Sequence, residues 1–144
     1  MKVLRALVMV TILAWAGAAH AAEVVIEGDD MLKFDVTEFT VKAGESVKLT
    51  LKHVGQMPKV AMGHNLVILT AGTDVDAFAA AAVMKQDTEY FPEDQADKVV
   101  ARTKLVGGGE SDTIEFTAPA PGTYPYLCTF PGHNVTMRGV MTVE

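Results

Sequence analysis

The sequence predicts an all-β fold, a Greek-key antiparallel β-sandwich with one short helix insertion. Three observations carry this. Apolar and polar residues alternate at period two through most of the chain, Gly and Pro clusters cut the alternation into short runs, and a single Ala-rich stretch departs from it.

The elements follow in chain order. Lys2 and Arg5 open a charged N-terminal region, and the 14 residues from Ala6 to Ala19 form an apolar run ending in Ala19-His20-Ala21. That pattern is a cleaved secretory signal. The run is short of the roughly 20 residues a membrane-spanning helix needs, and no cysteine follows it to carry a lipid anchor. Cleavage is expected after Ala21, so residues 1–21 are the signal peptide and residues 22–144 one soluble exported domain. Those 123 residues suit a single core.

Leu32, Phe34 and Val36 alternate with Lys33, Asp35 and Thr37, and Phe39 and Val41 alternate with Glu38, Thr40 and Lys42. The apolar parity flips between Val36 and Phe39, which predicts a bend or bulge. After the turn at Ala43-Gly44-Glu45, Val47, Leu49 and Leu51 alternate with Lys48, Thr50 and Lys52, which puts His53 on the apolar face. Leu66 to Leu69 is unbroken apolar sequence, the sign of a strand covered on both sides. From Asp74 to Lys85 the pattern is helical, with Phe78, Val83 and Met84 among alanines and Thr73 or Asp74 available as cap. Strands resume over residues 112–117, 123–129 and 137–143, separated by Gly107-Gly108-Gly109 and Pro119-Ala120-Pro121-Gly122.

Charge and cysteine content narrow the function. Twelve Lys and Arg against 18 Asp and Glu give a net charge of −6, which becomes −8 once Lys2 and Arg5 are removed. Such acidity argues against nucleic acid or anionic lipid as partner. The exported chain has one cysteine, so no internal disulfide can form and its thiol needs protection from oxidation.

That cysteine lies in Cys128-Thr-Phe-Pro-Gly-His133-Asn-Val-Thr-Met137. Thiolate and imidazole with a weak methionine thioether are three of the four donors of a trigonal blue-copper site, whose fourth is a second imidazole. Four residues between Cys128 and His133 can turn both side chains onto one ion, and Met137 opens the next strand. The second imidazole must come from His53 or His64. His64 lies in Met62-Gly63-His64-Asn65, where the glycine permits close backbone approach.

Across essentially all of residues 22–144 the chain resembles the azurins of the cupredoxin family, blue copper electron carriers of the bacterial periplasm. The resemblance rests on MGHN before an apolar strand, on Ala101-Arg-Thr-Lys-Leu-Val-Gly-Gly-Gly-Glu110, and on Cys128 to Gly139 as CTFPGHxxxMxG. It implies a cupredoxin-like fold and one copper ion cycling between Cu(II) and Cu(I). By the resemblance His64, Cys128 and His133 are equatorial ligands, Met137 is an axial ligand and the Gly63 carbonyl is the distant opposite one. Backbone N–H groups of Asn65 and Phe130 are expected to donate to the Cys128 sulfur, and the Asn65 side chain to tie the two ligand segments together. Two departures stand out. The chain lacks the disulfide azurins usually carry near the N-terminus, and Leu66 stands where the best-known azurins place a tryptophan.

The expected function is electron transfer between redox proteins such as c-type cytochromes or copper or haem reductases, as a monomer or weakly self-associating chain. An enzyme is disfavoured, because a copper enzyme needs an open coordination position and usually further histidines, and only His53 is left over. A delivery protein would expose a labile site rather than this closed donor set. Met57, Met62, Phe130, Pro131 and Val135 are expected to ring the exposed edge of His133 as an apolar patch. Glu89, Glu93, Asp94 and Asp97 read as a solvated face.

Overall fold

Two sheets form the framework in the computed structural model, which describes residues 21–144. The predicted signal peptide lies outside these residues but for Ala21. The strands are β1 (Ala22–Gly28), β2 (Glu38–Val41), β3 (Ser46–His53), β4 (Val67–Leu69), β5 (Val99–Arg102), β6 (Ser111–Thr117), β7 (Gly122–Leu127) and β8 (Arg138–Val143). One sheet has the order β1-β3-β6 and the other β2-β8-β7-β4-β5. No helix among the described residues is long and apolar enough to cross a membrane.

The all-β sandwich stands, but its sheets are mixed rather than purely antiparallel. β1 runs parallel to β3 and β2 parallel to β8, while the other pairs are antiparallel. The chain leaves β1 for the opposite sheet at β2 and returns as β3, which makes β1 and β3 parallel neighbours. Period-two alternation is the same in both directions, so the sequence cannot report this.

Several local expectations are corrected. Residues 32–36 form no strand; Phe34 makes one isolated bridge to Gly28, and Leu32 adopts φ 60°. Side chains capture the backbone there. Asp29 Oδ1 accepts from the N–H of Met31 (3.0 Å) and Lys33 (3.2 Å), and Asp35 Oδ1 accepts from Glu27 (2.7 Å). The Ala-rich helix runs only over Val75–Ala82, here α2. Asp74 caps it by accepting from Asp76 and Ala77, Phe78 is buried, and Val83 and Met84 are exposed. A single-turn helix, α1 (Lys59–Met62), precedes Gly63. The strands β1 and β5 were not foreseen. In β1 the signal was Val24 and Ile26 set against Glu23 and Glu27, whereas β5 has three half-buried residues and the exposed Arg102, with little pattern.

The main core lies between the sheets and includes Ile26, Leu49, Leu51, Leu66, Ile68, Tyr126, Cys128, Met137 and Met141. A second cluster of Val67, Leu69, Phe78, Phe91 and Leu127 lies under α2. Strand β4 therefore has apolar cover on both faces, which accounts for its unbroken apolar sequence. Tyr126 crosses the core to donate its hydroxyl to the Val36 carbonyl (2.6 Å), and a Cβ at Gly139 would collide with its ring. The C-terminal end of β7, which pairs with the start of β4, is thereby fixed, and the loop that begins at Cys128 starts from a rigid edge.

Candidate metal centre

Cys128, His133 and Met137 are brought together by backbone bonds within their own loop. The Cys128 N–H donates to the Met137 carbonyl (3.0 Å), His133 to Phe130 (3.0 Å), and Met137 to His133 (2.9 Å). Gly132, with φ 82°, supplies the left-handed residue that lets the chain turn into a short 3₁₀ segment, His133–Val135. The three side chains converge beneath the turn, and all are buried.

His64 arrives from the other side. Its N–H and carbonyl pair with Val106 (2.9 and 2.8 Å), so the segment carrying Val106 holds it in register. Gly63 must be glycine, because a Cβ would lie 2.7 Å from the Lys59 carbonyl oxygen and 2.9 Å from Leu105. The turn of α1 can therefore close directly onto the site. Two bonds explain the Ala101–Glu110 motif: Thr103 Oγ1 accepts from the Leu66 N–H (3.0 Å), and Glu110 accepts from Gly107 (2.8 Å).

The donor atoms meet closely. His64 Nδ1 and His133 Nδ1 are 3.2 Å apart, Cys128 Sγ is 3.7 Å from His133 Nδ1, and the Gly63 carbonyl oxygen is 4.0 Å from Sγ. All three of Cys128 Sγ and the imidazole donors lie within 4.8 Å of one another. His64 Nε2–H donates to the Asp29 carbonyl (2.8 Å), which leaves Nδ1 as the lone-pair nitrogen facing the others.

Burial sets the protonation of these groups. It pushes the Cys128 thiol up to about 11, opposed by bonds to sulfur from the backbone N–H groups of Asn65 and Phe130. It pushes His133 down to about 4, with His64 and His53 adding to the effect, and lowers His64 despite its bond to Asp29. Both imidazoles are therefore neutral near pH 7, the form that binds metal. One soft sulfur and two neutral nitrogens aimed at one buried point, with a thioether beside them, fit copper.

The surrounding contacts are equally specific. Asn65 Nδ2 donates to Thr129 Oγ1 (2.8 Å) and its Oδ1 accepts from the Thr129 N–H (2.8 Å), joining the two donor segments. His53 is buried, as its place on β3 predicted, and stacks on His64 with ring centroids 4.1 Å apart. Its Nε2–H donates to the Met62 carbonyl (2.8 Å) and its Nδ1 accepts from the Gly55 N–H (3.1 Å). Both ring nitrogens are thus used, and His53 stands behind the donors as a support.

Phe130 packs on His133 at 4.5 Å and meets Tyr90 edge-on at 4.9 Å. Tyr90 follows Glu89, and both adopt positive φ. Glu89 earns that geometry by accepting from the Leu105 N–H (3.2 Å) and, weakly, from Asn65 (3.4 Å), so it is more than the solvated acid its sequence suggested. Thr129, Tyr90 and the bonding role of Glu89 escaped the sequence reading, since nothing in their spacing marks contacts across such distances. Around this end, Met57, Val60 and Val135 are exposed, and Met62, Phe130 and Pro131 are half-buried. Met31 joins them through the neighbouring turn, where Thr136 donates to the Leu32 carbonyl (2.6 Å).

The family model of copper binding proteins of the plastocyanin/azurin family matches residues 20–144. This chain belongs to that family. Azurin from Pseudomonas aeruginosa is 34% identical over 148 residues, covering 98% of this chain and 99% of that protein. Outer membrane protein H.8 from Neisseria gonorrhoeae is 43% identical over 121 residues, covering 82% of this cupredoxin but 65% of that protein. This chain thus spans less than two thirds of that relative's length. Among solved structures, the dithionite-reduced auracyanin of Roseiflexus castenholzii superposes with a TM-score of 0.77 at 38% identity, covering 86% of this chain and 98% of that one. The cofactor of this plastocyanin/azurin-type protein is copper, and His64, Cys128, His133 and Met137 are arranged as a copper site.

Proposed function

We propose that this cupredoxin is a periplasmic blue-copper electron carrier and not an enzyme. In this reading residues 1–21 direct export and are removed, and residues 22–144 shuttle single electrons between proteins such as c-type cytochromes and copper or haem reductases. The observation that carries the reading is the convergence of Cys128 Sγ with two neutral, buried imidazole nitrogens. His64, Cys128, His133 and Met137 would hold the ion, with the Gly63 carbonyl as a further contact, its oxygen 4.0 Å from Cys128 Sγ. Bound copper supplies a one-electron Cu(II)/Cu(I) couple.

The chain's own contribution is rigidity and insulation. Soft sulfur favours Cu(I) and imidazole suits Cu(II), so a donor set held between these demands lowers the rearrangement that accompanies electron exchange. The paired Asn65–Thr129 hydrogen bonds, the His53 stack and the Asp29 carbonyl hold the donors in place. The apolar residues around Phe130 and His133 exclude water from that edge while admitting a partner's surface.

The test is the visible and electron paramagnetic resonance spectrum of residues 22–144 loaded with one equivalent of Cu(II). A strong blue band with a narrow copper hyperfine splitting is expected, and Cys128→Ser should abolish the band. A pale, ordinary Cu(II) spectrum in the native chain would overturn the reading.

A further inference from the structure

Strand β1 supplies no donor atom, yet its last residue touches two of the proposed ligands. Gly28 is buried, pairs with His53 in the β1–β3 register, and accepts from the Val54 N–H at its carbonyl (2.9 Å). A Cβ built on it would lie 2.9 Å from His64 Cδ2, 3.1 Å from the Met137 methyl and 3.5 Å from His64 Cγ. Its φ lies outside the left-handed region, so the backbone does not call for glycine here; only the lack of space does.

We propose that Gly28 is a positioning residue of the metal centre, whose bare Cα forms the wall that sets the His64 imidazole and the Met137 thioether at once. The proposal rests on the ligand roles assigned above. The neighbouring groups explain why a methyl there could not be absorbed silently. On one side the His64 ring is pinned between its bond to the Asp29 carbonyl and the His53 stack, so it has little freedom to retreat. On the other side Met137 is fully buried and unbranched, and its thioether can rotate away from pressure. The strand itself is held by seven register pairs to β3 and cannot easily back off. Strain introduced at Gly28 therefore reaches the donor side chains, and in particular the Met137 thioether, a weak donor that would tune a copper couple.

Gly28→Ala tests this, with Gly122→Ala as a control glycine whose added Cβ would make only ordinary contact with the Tyr124 ring, at 3.4 Å. The copper-loaded proteins are compared by reduction potential and copper hyperfine splitting, and their metal-free forms by thermal midpoint. We expect Gly28→Ala to fold, to keep a blue band, and to shift both potential and hyperfine splitting, while Gly122→Ala matches the native chain. A folded Gly28→Ala with native potential and splitting overturns the proposal, as does an equal shift in Gly122→Ala. If Gly28→Ala does not fold, the methyl is added to Met137→Ala, where the missing thioether leaves room on one side. A changed splitting relative to Met137→Ala alone is then expected, through His64, and coincident spectra overturn the proposal. A native chain without the blue band overturns the ligand assignment and this inference together, whereas a blue native chain with an unaltered Gly28→Ala overturns this inference alone.

Discussion

Asn65 and Thr129 lie 64 positions apart and bond each other twice, through Thr129 N–H to Asn65 Oδ1 and Asn65 Nδ2 to Thr129 Oγ1, both at 2.8 Å. Each residue adjoins a donor, His64 on one side and Cys128 on the other. The pair therefore carries the geometry of one ligand segment to the other without touching the metal. Asn65→Ala would leave the buried Thr129 N–H and hydroxyl without partners, at a cost of about 2–4 kcal/mol. We expect urea unfolding of the metal-free protein to show that loss and the copper-loaded variant to bleach faster; an unchanged midpoint would remove the clasp from the account.

The protonation states predict how the site takes up metal. Near pH 7 the Cys128 thiol, pushed up to about 11, keeps its proton, and His133, pushed down to about 4, carries no extra one. Loading with Zn(II) in weak buffer should therefore release close to one proton per ion, from Cys128. Cys128→Ser should release almost none. Release near two would show that an imidazole was charged beforehand.

His133 also makes the metal-free protein sensitive to mild acid. Its folded value near 4 lies below the ordinary 6.5, so between those pH values the unfolded chain binds the extra proton and the folded chain does not. Stability is present above about 6.5 and is lost as pH falls toward 4, by up to about 3 kcal/mol at about 1.4 kcal/mol per pKa unit. His64, lowered for the same reason of burial, acts in the same direction. Urea midpoints taken from pH 7 to pH 4 should fall, and His133→Gln should flatten the slope. A parallel decline in that variant would place the acid sensitivity elsewhere.

Met137 is expected to tune rather than create the site. Met137→Leu keeps the buried volume and removes a weak donor that favours Cu(II), so the blue band should persist and the reduction potential should rise. A tenfold change in relative affinity for the two oxidation states corresponds to about 59 mV, and a rise of that order is expected. A potential within a few millivolts of the native value would make Met137 a packing residue only.

Much of this was legible along the chain. Strands β3, β6, β7 and β8, the cap at Asp74 and the doubly covered β4 follow from alternation, caps and apolar runs, because each depends on residues within about ten positions. The loop from Cys128 to Met137 was legible for the same reason: three donors in one turn meet through local backbone bonds. The region around Leu32 misled, since Asp29 and Asp35 hold backbone groups that a strand would have used. Val83 and Met84 misled in turn, as the helix stopped before them.

What the sequence alone determined is the donor chemistry and the strand periodicity, both properties of residue type and short spacing. Tertiary structure decided the rest. Parallel pairing of β1 with β3 brings Gly28 and Asp29 against His64, and the turn at Glu89 and Tyr90 reaches Asn65, Leu105 and Phe130. These contacts join segments tens of residues apart, and their geometry exists only when two sheets close on one another. A donor set can be written in ten residues, but the walls that hold it are made by packing.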